Sequence, residues 1–236
     1  MKSEDTFARY SRQIFIEEIG IEGQRKIMNA RVLVIGAGGL GNPVIQYLAA
    51  AGVGTLGVAD FDKVELHNLN RQIVHNEKTV GMSKVKSAEN FVRALNHQIQ
   101  YIGIEQKIDE TNAEEIISEF DIVVDGSDNF TTRYLVNDIC VKLQKPLVYG
   151  SILGFSGQVA IFNHRGSKNL RDIFPEPPVD EDFPDCDSLG VLGPLPGVVG
   201  SMMANLTLKI ITDLPLQLNR LTLIDTLNWR FQTIDF

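Results

Sequence analysis

Two cations and one carboxylate stand where apolar runs give way to polar residues. Arg71 lies in His67-Asn68-Leu69-Asn70-Arg71-Gln72, Lys84 opens a helical stretch, and Asp128 lies in Asp125-Gly126-Ser127-Asp128-Asn129. A guanidinium forks onto two phosphate oxygens, an ammonium acts as a point charge, and a carboxylate supplies the hard oxygen that Mg2+ prefers. This set suits phosphoryl or nucleotidyl transfer, whereas hydride transfer needs no such combination. Each residue alone has a plainer meaning, as a solvated surface cation or an acid capping a helix. Their placement at the carboxyl ends of consecutive strands argues instead for one shared crevice.

Gly36, Gly38 and Gly41 fill the glycine positions of a G-x-G-x-x-G motif, with Gly39 beside them. Glycine there allows a tight turn and lets a phosphate approach amides at a helix N-terminus, where the dipole favours an anion. Asp60 follows the second strand, with Asp62 two residues on, at about the spacing where a carboxylate meets ribose hydroxyls. By itself the motif fits an NAD-dependent dehydrogenase as well as an ATP enzyme. Arg71, Lys84 and Asp128 favour ATP.

These groups need a scaffold, and hydrophobic patterning supplies one. Arg31 to Ile35 is a short β-branched run ending at glycines, and Leu40 to Ala51 is an apolar helix stopped by Gly52. Strands follow at 56–59, 99–104, 121–125 and 147–152, and helices at 83–96, 111–119 and 131–143. This alternation predicts a Rossmann-like α/β fold with a mostly parallel sheet and helices on both faces. Residues 6–28 read as helical, broken at Gly20 and Gly23. Beyond the parallel part, Val159 to Phe162 reads as a strand returning from a turn at Ser156-Gly157. A proline- and acid-rich loop over 163–190 exceeds the ~12–15 residues usual for structureless connections and reads as a mobile functional segment. A small-residue helix at 197–211 and a closing hairpin (220–224 and 229–234) complete C-terminal antiparallel strands. The expected organisation is a single domain over 1–236, with N-terminal helices in 1–30, a nucleotide-binding part in 31–152 and a closing part in 153–236.

Composition bounds the function. The 236 residues carry 22 Lys plus Arg against 30 Asp plus Glu, a formal charge of -8, and are 44% hydrophobic. That excludes disordered, collagen-like and disulfide-rich chains. The acidic balance speaks against a broad nucleic-acid surface but permits a local cationic pocket. Two distant cysteines, Cys140 and Cys186, suit a reducing compartment. No apolar run approaches the ~18 residues of a membrane span, and the polar N-terminus does not read as a signal peptide. A cytoplasmic protein without membrane partners is expected. Cys140, on a helix with Val136 and Leu143, is expected in the core.

Several motifs together resemble the ThiF/MoeB/HesA adenylyltransferases, prokaryotic relatives of the ubiquitin-activating enzymes. They are RYSRQ (9–13), VLVIGAGGLG (32–41), AAAGVGTLGVADFDKVELHNLNRQ (49–72), GMSKV (81–85), DGSDNFTTR (125–133) and VLGPLPGVVGSMMANLTLKII (191–211). The conjunction of N-x-x-R, G-x-x-K and D-x-x-D-N carries the specificity; the glycine motif alone does not. The resemblance implies ATP- and Mg2+-dependent adenylation of the C-terminal glycine of a small ubiquitin-like sulfur-carrier protein ending in Gly-Gly. Sulfur transfer to thiamine thiazole or molybdopterin would follow, with RYSRQ, the GVGTLGVAD run and the Cys186 context leaning toward the thiamine-type member.

It further implies that Gly36, Gly38, Gly39 and Gly41 line the phosphate turn, that Asp60 takes the ribose, and that Asp62 and Gln72 are among the cofactor-binding residues. Asn68, Arg71 and Lys84 would stabilise the triphosphate and its developing charge. Asp128 would position Mg2+, with Asn129 nearby. Arg12 matches an arginine donated across a homodimer, although alone it reads as a surface residue of an amphipathic helix. Residues 153–236 would dock the carrier. Cys186 matches a cysteine that can bond covalently to the carrier, yet its flanking Asp185 and Asp187 would disfavour the thiolate. Many members hold zinc with two C-x-x-C pairs. Here the first region reads NHRGSKNLRDIF without cysteine, so no zinc is expected. The alternatives are adenylation of another acceptor such as a tRNA base, an NAD-dependent dehydrogenase, and a non-catalytic carrier-binding subunit.

Overall fold

A computed structural model of the protein describes residues 3–178 and 190–236. Five strands run parallel: β1 (Arg31–Ile35), β2 (Thr55–Ala59), β3 (Gln100–Ile104), β4 (Ile122–Asp125) and β5 (Leu147–Leu153). Three more, β6 (Ser156–Phe162), β7 (Arg220–Asp225) and β8 (Arg230–Asp235), add on in antiparallel fashion. All eight share one sheet in the order β3-β2-β1-β4-β5-β6-β7-β8. The expected mostly parallel sheet with antiparallel C-terminal strands is what the chain forms. Strand order reverses at β1, which has β2 on one side and β4 on the other. Open α/β sheets bind ligands beyond such a switch point, because the connections leaving the two strands diverge there.

Side chains alternate across a strand, so each central strand feeds two cores. Val32 and Val34 of β1 pack in one apolar layer, and Leu33 and Ile35 pack in the other. The first layer is closed by α2 (Gly20–Asn29), α3 (Gly41–Ala51), α4 (Lys84–Leu95) and the long α8 (Pro194–Ile211). The second is closed by α5 (Ala113–Ser118), α6 (Phe130–Lys142) and α7 (Leu170–Ile173). Each fully buried Leu or Val contributes ~1.5–3 kcal/mol relative to exposure, so the pair of layers supplies the main drive for folding. Cys140 is fully buried in the second layer, and burial pushes its thiol well above the ordinary range.

Local expectations are corrected at three places. The N-terminal helical stretch divides between α1 (Ser3–Ile14) and α2, and Gly20 opens α2 at φ +55. Gly23 does not break the helix; it lies buried within α2, packed against Ile19 and Thr212. The turn into β6 is Gly154-Phe155 rather than Ser156-Gly157, because Leu153 pairs with Ser156. Gly154 takes φ +58, a backbone angle that glycine adopts without a Cβ penalty. The third place is the expected loop over 163–190. Its first part carries α7, which a capping box between Asn169 and Asp172 starts. Tyr134 then donates from its hydroxyl to the carbonyls of Phe174 and Glu176 and ties the following chain down.

Candidate functional site

A cleft of about 880 Å³ opens at the carboxyl ends of β1, β2 and β4, beyond the switch point. Gly36, Gly38 and Gly39 form its floor. Gly36 has φ +87, and a Cβ there would press on the Gly126 carbonyl, so the loops after β1 and β4 meet backbone to backbone. Gly41 is not among the lining residues. It begins α3 directly beneath the turn, where a Cβ would overlap the Gly36 carbonyl oxygen. Glycine there allows the close packing of turn and helix. No side chain caps the N-terminus of α3, which leaves that end of the helix dipole facing the turn.

Asp60, Asp62 and Lys84 form a linked set on the β2 side. The Asp60 carboxylate accepts from the Ala37 amide at 2.7 Å and from the Asp62 amide at 2.8 Å. Burial raises its pKa above the ordinary carboxylate value, and the nearby Lys84 charge together with the two amides opposes that rise. Lys84 donates to the Asp62 carboxylate at 2.8 Å, and its side chain is only 9% exposed. Ser83 caps α4 through the Lys86 amide, so the sequence starts this helix where Lys84 must turn inward.

The segment after β2 carries the next three residues. Asn68 is buried, accepts from the Glu65 amide at 2.9 Å, and completes a capping box around a short 3-10 turn, Leu66–Asn68. Arg71 is steadied by the His67 carbonyl at 3.1 Å and by Asn70 at 3.3 Å. Gln72 is 4% exposed, and its amide oxygen has no hydrogen-bond partner among the described residues. A buried, unpartnered acceptor facing a cleft marks a place for a ligand or water.

On the β4 side, Asn129 caps α6 by accepting from the Thr132 amide at 2.9 Å. The cap function thus falls to Asn129 and leaves the Asp128 carboxylate exposed in the cleft, touched by Asn129 at 3.3 Å. Behind it lies a pair that the sequence did not single out. Asp125 is fully buried and faces Arg133, also buried, at 3.7 Å. Arg133 donates to the Ser127 carbonyl at 2.6 Å and stacks on the Tyr149 ring at 4.7 Å. It thereby fixes the loop that presents Asp128. Both residues stood inside the DGSDNFTTR motif, at its ends, which was the available signal.

Two further side chains were missed. Asn42 and His75 hydrogen-bond to the glycine turn from below. Their signal was polarity out of place, an Asn in an apolar helix and a His beside Val74. Arg12 is exposed on α1 and outside the cleft of its own chain. Cys186 lies outside the described residues. Among the described residues, no cluster of three or more His, Cys, Asp or Glu side chains could hold a metal, and no helix is long and apolar enough to cross a membrane.

With this geometry, the chain can be set beside known proteins. It is 49% identical over 207 residues to the Anopheles gambiae protein named adenylyltransferase and sulfurtransferase MOCS3, which covers 88% of this chain and 47% of that one. It is 44% identical over 237 residues to the Mycobacterium tuberculosis protein named probable adenylyltransferase/sulfurtransferase MoeZ, covering 98% of this chain and 60% of that one. The chain therefore spans about half the length of the MOCS3 relatives it matches. In fold it is similar to Escherichia coli MccB, crystallised with ATP, with TM-score 0.84, 24% identity, and coverage of 96% of this chain and 71% of that one. The sequence model of the ThiF family matches residues 10–236, and the chain belongs to the ThiF family.

Proposed function

We propose that the protein is an adenylyltransferase that uses ATP to activate the C-terminal glycine of a small ubiquitin-like sulfur-carrier protein. The observation that carries this reading is the convergence of Arg71, Lys84 and Asp128 on the cleft floored by the glycine turn. A dehydrogenase would leave these three without work. The names of the MOCS3 and MoeZ relatives, adenylyltransferase and sulfurtransferase, support the same chemistry.

The reaction joins a carboxylate oxygen of the carrier's terminal glycine to the α-phosphorus of ATP. The bond from that phosphorus to the β-phosphate's bridging oxygen breaks, and pyrophosphate leaves with the electron pair. No proton moves. The barrier comes from bringing an anion to a polyanion and from charge building on the leaving group. Arg71 and Lys84 are placed to offset both, in a cleft where partial burial strengthens each charge. Asp60 would hold the ribose through its hydroxyls. Lys84 must then leave or share Asp62 as phosphate arrives.

Asp128 fits a Mg2+ role. Its carboxylate is exposed in the cleft and not spent on a helix cap, and Mg2+ is commonly held by one or two carboxylates together with substrate phosphates. When bound, the ion would neutralise phosphate oxygens. Arg12, exposed and outside its own cleft, is suited to reach the site of a partner copy in a homodimer. The carrier's tail would enter past Ser151, Leu153 and Val191, which also line the cleft. Sulfur transfer to thiamine thiazole or molybdopterin, and a cytoplasmic location, complete the proposal.

ATP–pyrophosphate exchange with candidate carriers ending in Gly-Gly tests it. Exchange that depends on a carrier is expected. No exchange with any carrier, together with NADH formation from an alcohol substrate, would overturn the reading in favour of a dehydrogenase. Asp128→Ala should abolish exchange while circular dichroism stays that of the parent.

A further inference from the structure

The glycine turn is gripped from the side opposite the cleft. Asn42 Nδ2 donates to the Ala37 carbonyl at 2.7 Å and to the Gly38 carbonyl at 2.9 Å. Its Oδ1 accepts from the Val74 amide at 2.6 Å, which fixes the orientation of the side-chain amide. His75 Nε2 lies 3.0 Å from the same Ala37 carbonyl, and Nδ1 lies 2.8 Å from the Ser87 hydroxyl. A carbonyl only accepts, so Nε2 carries the proton and Nδ1 receives the hydroxyl of Ser87. Burial lowers the pKa of His75 below the ordinary histidine value, in keeping with this neutral form. Asn42, His75 and Ser87 are all essentially buried.

The consequence lies on the other side of the peptide. In a trans peptide, the carbonyl of one residue and the amide of the next point in opposite directions. Drawing the Ala37 and Gly38 carbonyls inward turns the Gly38 and Gly39 amides outward, toward the cleft that both residues line. Among the described residues, neither amide donates to a protein acceptor. Successive free amides at a helix N-terminus form an anion-binding concavity. The Ala37 amide, meanwhile, is held by Asp60. One short segment is thus locked at both ends, by the carboxylate on the ribose side and by the Asn42–His75 pair beneath the phosphates.

We propose that His75 is a positioning residue of the nucleotide site, acting with Asn42 through the Ala37 peptide to aim the Gly38 and Gly39 amides at the phosphates of the bound nucleotide. It touches neither substrate nor reacting atoms. The inference rests on ATP being the nucleotide, so the test separates the two claims.

Calorimetric titration of the protein with ATP in the presence of Mg2+, and separately with adenosine, reads the phosphate contribution. His75→Leu should weaken ATP binding by about three- to tenfold, the loss expected for one hydrogen bond, and leave adenosine binding unchanged. His75→Gln, whose Nε2 can reach the Ala37 carbonyl, should restore most of the ATP affinity. Equal weakening of ATP and adenosine would mean a purely structural role and overturn the proposal, as would unchanged ATP affinity. If His75→Leu does not fold, Ser87→Ala removes the hydroxyl that fixes the ring's tautomer. It should lower the ATP-to-adenosine affinity ratio by a smaller factor, and an unchanged ratio would overturn the proposal. Parent protein that binds no ATP would defeat the adenylation reading itself, whereas parent protein that binds ATP, with an unaltered ratio in the variants, would defeat this inference alone.

Discussion

β2 and β8 belong to one sheet, yet every residue of β2 is buried and every residue of β8 is exposed. β2 runs Thr55-Leu56-Gly57-Val58-Ala59, parallel to both neighbours and covered on both faces. β8 lies at the antiparallel edge, where Trp229, Phe231 and Ile234 of the closing hairpin meet solvent. Parallel strands need crossover helices, and those helices cover both faces; a hairpin needs none. The enclosed half can therefore hold charged and polar groups at fixed distances, as it does with Asp125, Arg133, His75 and Asn42. The open half offers a surface instead of a frame. The cleft lies where helices seal the sheet, at the strand ends that emerge from the seal.

Substitutions can break or sharpen that contrast. The largest effect should come from Arg133→Ala, which strands a fully buried Asp125 without its cation. Removing one partner of a buried pair costs about 3–5 kcal/mol. Denaturant unfolding measures it, and a loss under about 1 kcal/mol would show that the enclosed half tolerates charge as the surface does. Next, Lys84→Ala and Arg71→Ala should each slow carrier-dependent exchange by ~10²–10³, as when a single electrostatic partner of a transition state is removed. Exchange within twofold of the parent would take these cations out of the reaction. The smallest effect is expected at the open edge. Trp229→Ala should alter unfolding free energy by no more than about 0.5 kcal/mol, as at an ordinary surface position. A loss above about 2 kcal/mol would mean that the hairpin face is covered in solution, and the contrast between the halves would fade.

Much of the fold was legible because its signals are local. Short apolar runs marked β1 to β5, the first of them ending at glycines, and apolar stripes marked α3, α4 and α6. Of the candidate residues, Asp60 and Asp128 stand just after β2 and β4, and Arg71 and Lys84 lie in the connection from β2 to β3, which topology brings to the same edge. What failed to show was pairing across sequence. Arg133 has meaning only once Asp125 is beneath it, and His75 only once Ala37 is 3.0 Å away. Gly23 resembled a helix breaker because intrinsic propensity disfavours glycine, but close packing against Ile19 and Thr212 overrides that preference. The turn at Gly154-Phe155 was displaced from its expected place by strand register, which depends on how β5 and β6 bury alternate residues and not on the turn residues alone.

The amino-acid order by itself determined the alternation of strand and helix, the glycine turn after β1, and the arrival of two cations and a carboxylate at one edge of the sheet. These follow from periodicity and from the chain's short reach between adjacent elements. Tertiary structure decided the rest. It made Asn129 and not Asp128 the cap of α6, buried Gly41 beneath the turn, set Arg133 under the Asp128 loop, and drew the Ala37 and Gly38 carbonyls onto Asn42. Hydrogen bonds act over about 3 Å, and groups tens of residues apart come within that range only when the sheet is assembled and sealed.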